Sequence, residues 1–164
     1  MPHITIEYAI MMPVLILQIF LFPLAANWTM NIWVDSRRTI ALQDAVSHLG
    51  SAIQQLYLSL NHETISTGKV TYAPELPPFI EGIYYVGNAT LRTALEPTFN
   101  SSKVLDLTAT LANAGTTVHA SVVLGPNAQW LDSRFVSNST NACIIAEKLS
   151  FMDGTTSIRL QFGE

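Results

Sequence analysis

The stretch HITIEYAIMMPVLILQIFLFPLAANW, from His3 to Trp28, decides what kind of fold this chain adopts. It holds one ionisable carboxylate, Glu7, and the 27 residues from Tyr8 to Val34 carry no formal charge. A helix that is apolar on every side must lie in lipid or inside a large protein core, and about 20 apolar residues span the hydrocarbon layer of a bilayer. The 19 residues of Tyr8–Ala26 therefore predict a membrane-spanning or similarly dry helix.

The helix is predicted to continue well beyond this apolar run. Pro13 and Pro23 lie inside the run, but interior prolines are tolerated in lipid or in a packed bundle. Further on, apolar residues recur at steps of three and four, which is typical of a helix with one buried face. We predict a single helix of about 55 residues whose second half is amphipathic. The apolar stripe of that half comprises Ile40, Leu42, Ala45, Val46, Leu49, Ala52, Ile53, Leu56 and Leu60.

The chain changes character after His62, because seven of its eight glycines follow that residue. Apolar and polar residues then alternate, as in KVLDLTATLA at 103–112, and such alternation is typical of antiparallel strands with one buried face. We predict an α+β fold, with an N-terminal helix over 1–62 and an antiparallel, sandwich-like domain of about eight strands over 63–164. Within the helix, 1–28 is the span or core and 29–62 packs on the β domain. The predicted strands are 70–73, 80–86, 91–94, 103–112, 117–124, 129–136, 143–151 and 156–162.

The composition excludes several classes of protein. Charged residues make up 12% of the chain and the net charge is -4, whereas the usual charged share is roughly 25%. No basic run is present, which argues against a nucleic-acid partner. The lone Cys143 cannot form an internal disulfide. A small, buried, apolar role is the expected one for it, and a reactive thiol is the alternative.

No constellation of residues points to catalysis. The four histidines, His3, His48, His62 and His119, lack the spacing of metal ligands. Phosphate-binding, dinucleotide-binding and serine-nucleophile motifs are missing as well. We therefore expect no enzyme activity, no cofactor and no metal. Trp130 is expected in the core of the β domain, and Trp28 and Trp33 either at a membrane interface or in helix packing.

The start of the chain resembles an archaeal type IV pilin. In one class of that family the mature chain opens with a pattern like Gln-x-Ser-x-Glu-Tyr, and here Glu7 and Tyr8 match while His3 and Thr5 replace the Gln and the Ser. The resemblance implies cleavage by a prepilin peptidase just before His3. Only Met1-Pro2 precede that point, so either the leader is vestigial or the precursor starts further upstream.

The resemblance also implies a role for these residues in assembly. Helices of many copies would leave the membrane and bundle, and Glu7 would pair with the free amino group of a neighbour's mature N-terminus, with His3 and Tyr8 beside it. The alternative is a solvated carboxylate at the level of the lipid headgroups. The implied partners are further copies of the chain, the membrane before assembly, the prepilin peptidase and the assembly machinery. The filament core would contain Ile10, Val14, Leu17, Phe20, Leu21 and Leu24.

These features predict the major subunit of an extracellular pilus-like filament at the cell surface. A low-copy pseudopilin, an archaellin and a membrane-anchored binding module or adhesin that never polymerises are the alternatives. Asn-x-Ser/Thr sequons predict N-glycans at Asn88, Asn100 and Asn138, in turns or at strand ends, although an abundance of Ser and Thr on β surfaces also produces such patterns. The sequon at Asn27 lies on the helix and is expected to have no role.

Overall fold

The computed structural model describes residues 3–93 and 101–163, with the side chains of the first helix described from Ile10 onward. The chain divides into two compact units, Met1–Arg37 and Arg38–Glu164. One helix, α1, covers His3–Leu60 and has 58 residues, with Pro13 and Pro23 inside it. The prediction of a single long helix is therefore confirmed.

The α1 helix ends against a buried cation from the β domain. Its last turn contains no basic residue, but the Lys148 ammonium donates hydrogen bonds to the carbonyls of His62 (2.8 Å) and Ile65 (3.0 Å). Lys148 is buried, and a cation near a helix C-terminus interacts favourably with the partial negative charge there. This contact fixes the loop that leads from α1 into the first strand.

Within the described residues, eight strands follow α1, in agreement with the predicted number of about eight. They are β1 Gly68–Tyr72, β2 Tyr85–Thr93, β3 Lys103–Leu111, β4 Thr117–Leu124, β5 Ala128–Trp130, β6 Arg134–Val136, β7 Cys143–Ser150 and β8 Thr156–Gly163. They form two four-stranded sheets, in the order β1-β7-β8-β5 and β4-β3-β2-β6. The predicted α+β class with a sandwich-like β domain is confirmed.

One strand pair departs from the predicted antiparallel pattern. Strand β5 pairs with β8 in parallel, with Ala128 opposite Ile158 and Trp130 opposite Leu160. The chain reaches β5 from β4, which belongs to the other sheet. A short hairpin connection forces two strands to be antiparallel, but β5 and β8 are not joined by a hairpin. The direction of β5 relative to β8 is therefore not restricted in this way.

The second unit has one hydrophobic core, to which α1 and both sheets contribute. Buried residues on α1 recur with helical spacing, and they comprise Leu42, Ala45, Val46, Leu49, Ala52, Ile53, Tyr57 and Leu60. The helix approaches β3 and β4 closely at Gly50, where an added Cβ would lie 2.8 Å from Val122 Cγ2 and 3.2 Å from Leu107 Cδ1. Gln43 and Gln54 donate hydrogen bonds to carbonyls of the edge strand β4, so part of that edge is covered.

Three details of the sequence prediction are wrong. Ile40 was expected in the buried stripe but is 59% exposed, because it lies two residues, or about 200° of rotation, from the buried Leu42. The expected strands 80–86 and 91–94 both run into one strand, β2 Tyr85–Thr93, while 80–84 contain only an isolated bridge between Ile80 and Ile83 and residue 94 lies outside the described ones. The expected strand 129–136 is two short strands, β5 and β6, which belong to different sheets.

Candidate functional site

The main candidate for a functional surface is the apolar segment, which we define as residues 10–33 of α1. All six residues predicted for a filament core lie on it, and each is between 54 and 68% exposed. Exposed apolar side chains cover every side of the segment. The sixteen large ones are Ile10, Met11, Met12, Val14, Leu15, Ile16, Leu17, Ile19, Phe20, Leu21, Phe22, Leu24, Trp28, Met30, Ile32 and Trp33.

Exposure of this surface to water is energetically untenable. Full burial of one large apolar side chain contributes about 1.5–3 kcal/mol. Half of that value summed over sixteen side chains, which are 53–78% exposed, amounts to about 12–24 kcal/mol. A whole domain is held folded by only about 5–15 kcal/mol. The apolar segment therefore needs a cover, either lipid or other protein.

The segment has the dimensions and the boundary residues of a membrane span. Among the described residues, α1 is the one helix long and apolar enough to cross a bilayer. Toward its polar end, the Arg37 guanidinium carbon lies 4.8 Å from the centre of the Trp33 ring. A cation over an aromatic face is favourable, and Trp beside Arg is common where a span meets the headgroups.

The predicted assembly residues His3, Glu7 and Tyr8 belong to α1, but their side chains lie outside the described ones. Their proposed roles remain predictions. The backbone of all three residues is helical. Glu7 lies three residues before Ile10, which is the first residue of the apolar segment.

A second candidate is the outer face of the sheet β4-β3-β2-β6. Polar residues line up across it in register, with Arg134, Asn88, Thr108 and His119 in one row. The next row comprises Thr90, Asp106 and Ser121. A shallow cleft of about 500 Å³ runs along these rows and is lined mainly by Thr90, Arg92, Asp106, Thr108, His119 and Ser121.

Side-chain hydrogen bonds organise this polar face. The Ser121 hydroxyl donates to Asp106 at 2.8 Å, and the Arg92 guanidinium also donates to the Asp106 carboxylate. The Thr108 hydroxyl and His119 Nδ1 share a hydrogen bond of 3.1 Å. The Ser121 hydrogen bond, with help from Arg92, lowers the pKa of Asp106 below its ordinary value of 3.8. The face thus presents a fixed carboxylate, hydroxyls and an imidazole.

The lowered pKa of Asp106 predicts a contribution to acid stability. A carboxyl group whose pKa is lower in the folded state stabilises the fold above its unfolded pKa, and that contribution is lost as pH falls through the folded pKa. We expect Asp106→Asn to lower the free energy of unfolding at pH 7 and to flatten its fall below about pH 4. Urea unfolding at a series of pH values measures this on chain produced without N-glycosylation, because the change creates an Asn-x-Thr sequon with Thr108. The exposed Asp132, changed to Asn, is the control, and identical pH profiles for Asp106→Asn and wild type would contradict the assignment.

The predicted glycosylation sites lie in different settings. Asn88 is exposed in the middle of β2, so the expectation of a turn or a strand end is wrong for it. Asn138 is exposed in the turn that follows β6, as expected. Asn100 lies outside the described residues. Asn27 is on the exposed surface of α1.

The part of the chain that the structure describes holds further titratable and aromatic groups outside the polar face. No group of three or more His, Cys, Asp or Glu residues there is placed to hold a metal ion. Burial raises the pKa of Tyr85 to about 12, so this phenol stays neutral. Cys143 is half-buried opposite Gly163. Trp130 packs on the core, with its ring edge-on to Phe162 at 4.9 Å.

Sequence reasoning missed the register of the polar face, because the pairing of β2, β3 and β4 was not specified by any local motif. The alternation within each strand was the available signal.

Comparison with known proteins adds no family to these observations. No protein-family model, no curated protein and no solved structure matches this chain.

Proposed function

We propose that this chain is the structural subunit of an extracellular, type IV pilus-like filament, with the apolar segments of many copies forming a common core. The observation that supports it most is the apolar surface of sixteen side chains on the same chain as a second unit that has its own hydrophobic core. The start of the chain, with Glu7 and Tyr8 ahead of the apolar segment, resembles an archaeal type IV pilin.

Polymerisation suits the apolar segment physically. Before assembly the segment lies in lipid, and afterwards it lies among copies of itself. Both surroundings are apolar, so transfer between them needs little desolvation. Carbonyls that lose their helical partner at Pro13 and Pro23 are protected from water in either place and are satisfied by neighbouring groups.

A membrane-anchored surface module that never polymerises is the second candidate. The contact between Arg37 and Trp33 favours it, since such pairs are common at a membrane interface. This candidate has no use for Glu7, whose carboxylate at the membrane costs a few kcal/mol. A low-copy pseudopilin and an archaellin would share the architecture of the proposed filament subunit. A pseudopilin would differ from that subunit in abundance, and an archaellin would differ from it in motor function.

Microscopy of surface material separates these functions. Appendages sheared from cells are viewed by negative stain and their peptides identified by mass spectrometry. We expect thin filaments composed mainly of this chain. Recovery of the chain only as a monomer in detergent-solubilised membranes would refute polymerisation and leave the anchored module.

A further inference from the structure

The sequon at Asn88 has an unusual position, because it lies in a strand that is paired on both sides. Asn88 is opposite Thr108 of β3 and Arg134 of β6. The side chains of Asn88 and Thr90 are exposed on the outer face, while Ala89 between them is buried in the core. Both side chains of the sequon that a glycosyl-transferring enzyme must recognise therefore point to the same accessible surface.

The amide of Asn88 is chemically available. Within the described residues it makes no hydrogen bond to another protein group, and the same holds for the Asn138 amide. Asn127 provides a contrast, since its amide is held by Tyr57 and Asn61 and it is not part of a sequon. The amides of both described sequon asparagines of the β domain are thus left for another partner.

The surface beside Asn88 suits a saccharide. The polar cleft begins at Thr90 and Thr108, which are neighbours of Asn88 on the same face, and it continues to Asp106, His119 and Ser121. Hydroxyl, carboxylate and imidazole groups can each exchange hydrogen bonds with sugar hydroxyls. A glycan on Asn88 would have polar contacts across two neighbouring strands.

We propose that Asn88 is N-glycosylated before the sheet closes, and that its glycan then lies across the polar face of β2, β3 and β4. The Asn88 amide nitrogen bonds to the anomeric carbon of a lipid-linked sugar. The bond from that carbon to the lipid phosphate oxygen breaks, the lipid phosphate leaves with the electron pair, and the amide loses one proton to a base of the transferase.

Folding restricts access to this site. Directly opposed residues of neighbouring strands have Cα atoms about 4.5–5.5 Å apart, so β3 and β6 leave no room for an enzyme to enclose the backbone at Asn88. The inner side of β2 is also covered, since a Cβ on Gly87 would lie 3.9 Å from Leu49 of α1. Asn138 lies in a turn and stays accessible after folding. The proposal does not depend on polymerisation, because an anchored monomer would carry the same glycan.

Glycopeptide mass spectrometry of the full chain from its native host tests occupancy. We expect a glycan on Asn88 in the wild type, complete loss in Thr90→Ala and retention in Thr90→Ser, which keeps the acceptor hydroxyl. Thr90 is exposed, so neither change disturbs the core. An unmodified Asn88 in the native chain would overturn the proposal.

Two further measurements test the order of events and the position of the glycan. Folded, unglycosylated full chain and a synthetic peptide of residues 84–93 are incubated with native membranes that contain the lipid-linked sugar. We expect the peptide to be modified at Asn88, and the folded chain to be modified at Asn138 but not at Asn88. Modification of Asn88 in the folded chain at the rate of the peptide, or no modification of the peptide, would contradict the proposed order.

Chemical labelling of histidines locates the glycan on the surface. Diethylpyrocarbonate should label His119 in Thr90→Ala but not in the glycosylated wild type, while His48 and His62, which lie elsewhere, are labelled equally in both. Equal labelling of His119 in the two proteins would show that the glycan does not lie across the polar face.

Discussion

Replacing Glu7 by Gln is expected to abolish filaments while leaving the chain in the membrane. In the proposed core, this carboxylate pairs with the free amino group of a neighbouring copy. Removal of one partner from a buried ion pair leaves an uncompensated charge and costs about 3–5 kcal/mol. Each 1.4 kcal/mol changes an association constant about tenfold, so the affinity of a copy for the growing filament would fall at least about a hundredfold.

The matched control is Glu63→Gln, which removes an exposed acid just beyond the end of α1. Sheared filament yield, normalised to the amount of chain in the membrane fraction, is the quantity to measure. We expect wild-type yield from Glu63→Gln and none from Glu7→Gln, with equal membrane insertion. Wild-type yield from Glu7→Gln would mean that the carboxylate is solvated at the headgroups, and the pairing role would be withdrawn.

Replacing Phe135 by Ala is expected to destabilise the β domain by about 3–5 kcal/mol. Phe135 is 1% exposed, and its ring centre lies 5.5 Å from that of Phe162 and 6.3 Å from that of Tyr85. It is the central residue of β6, a strand of three residues at the edge of its sheet. The cavity would therefore open where β6 and β8 meet, and β6 would be held mainly by its three-residue pairing with β2.

The control for this prediction is Phe151→Ala, in the turn between β7 and β8, where the ring is 50% exposed. Chemical denaturation of the detergent-solubilised full chain, followed by near-ultraviolet circular dichroism, gives the free energy of unfolding. Changes at an exposed site usually stay within about 0.5 kcal/mol. A loss below about 1 kcal/mol for Phe135→Ala would place this ring outside the core that the contacts define.

The sequence predicted the long helix and the strands with clean alternation because their signals are local. Thr117–Leu124 matches its prediction at both ends, since Val118, Ala120, Val122 and Leu124 alternate with exposed residues. The turn at Asn113 and Gly115 was also predictable, and both adopt positive φ. Asn and Gly favour the left-handed backbone conformation that such a turn requires, so the turn can be predicted without knowing which distant residues contact it.

The remaining errors come from contacts between distant parts of the chain. Gly87-Asn88 is typical of a turn, yet both lie within β2. A Cβ on Gly87 would be in van der Waals contact with Phe135 at 3.4 Å and with Leu49 at 3.9 Å, so this glycine packs inside the β domain and does not mark a turn. Tyr57 was missed in the buried stripe for a similar reason, because its hydroxyl hydrogen-bonds to Asn127, 70 residues away.

The candidate assembly surface was predictable because it needs only composition and length. The polar face was not, because Asn88, Thr108 and His119 come together through strand register alone. Neither an isolated Thr nor an isolated His signals such a row. Sequons could be located from the sequence, but whether an acceptor lies in a turn or in a paired strand depends on the whole sheet.

A cryo-electron microscopy reconstruction of the sheared surface material tests the central claim most directly. We predict a helical filament in which residues 10–33 of neighbouring copies are in contact around a dry axis, with the Glu7 carboxylate beside an amino terminus of another copy. A filament whose apolar segments stay apart, with Glu7 in water, or surface material that holds no copy of this chain, would contradict it.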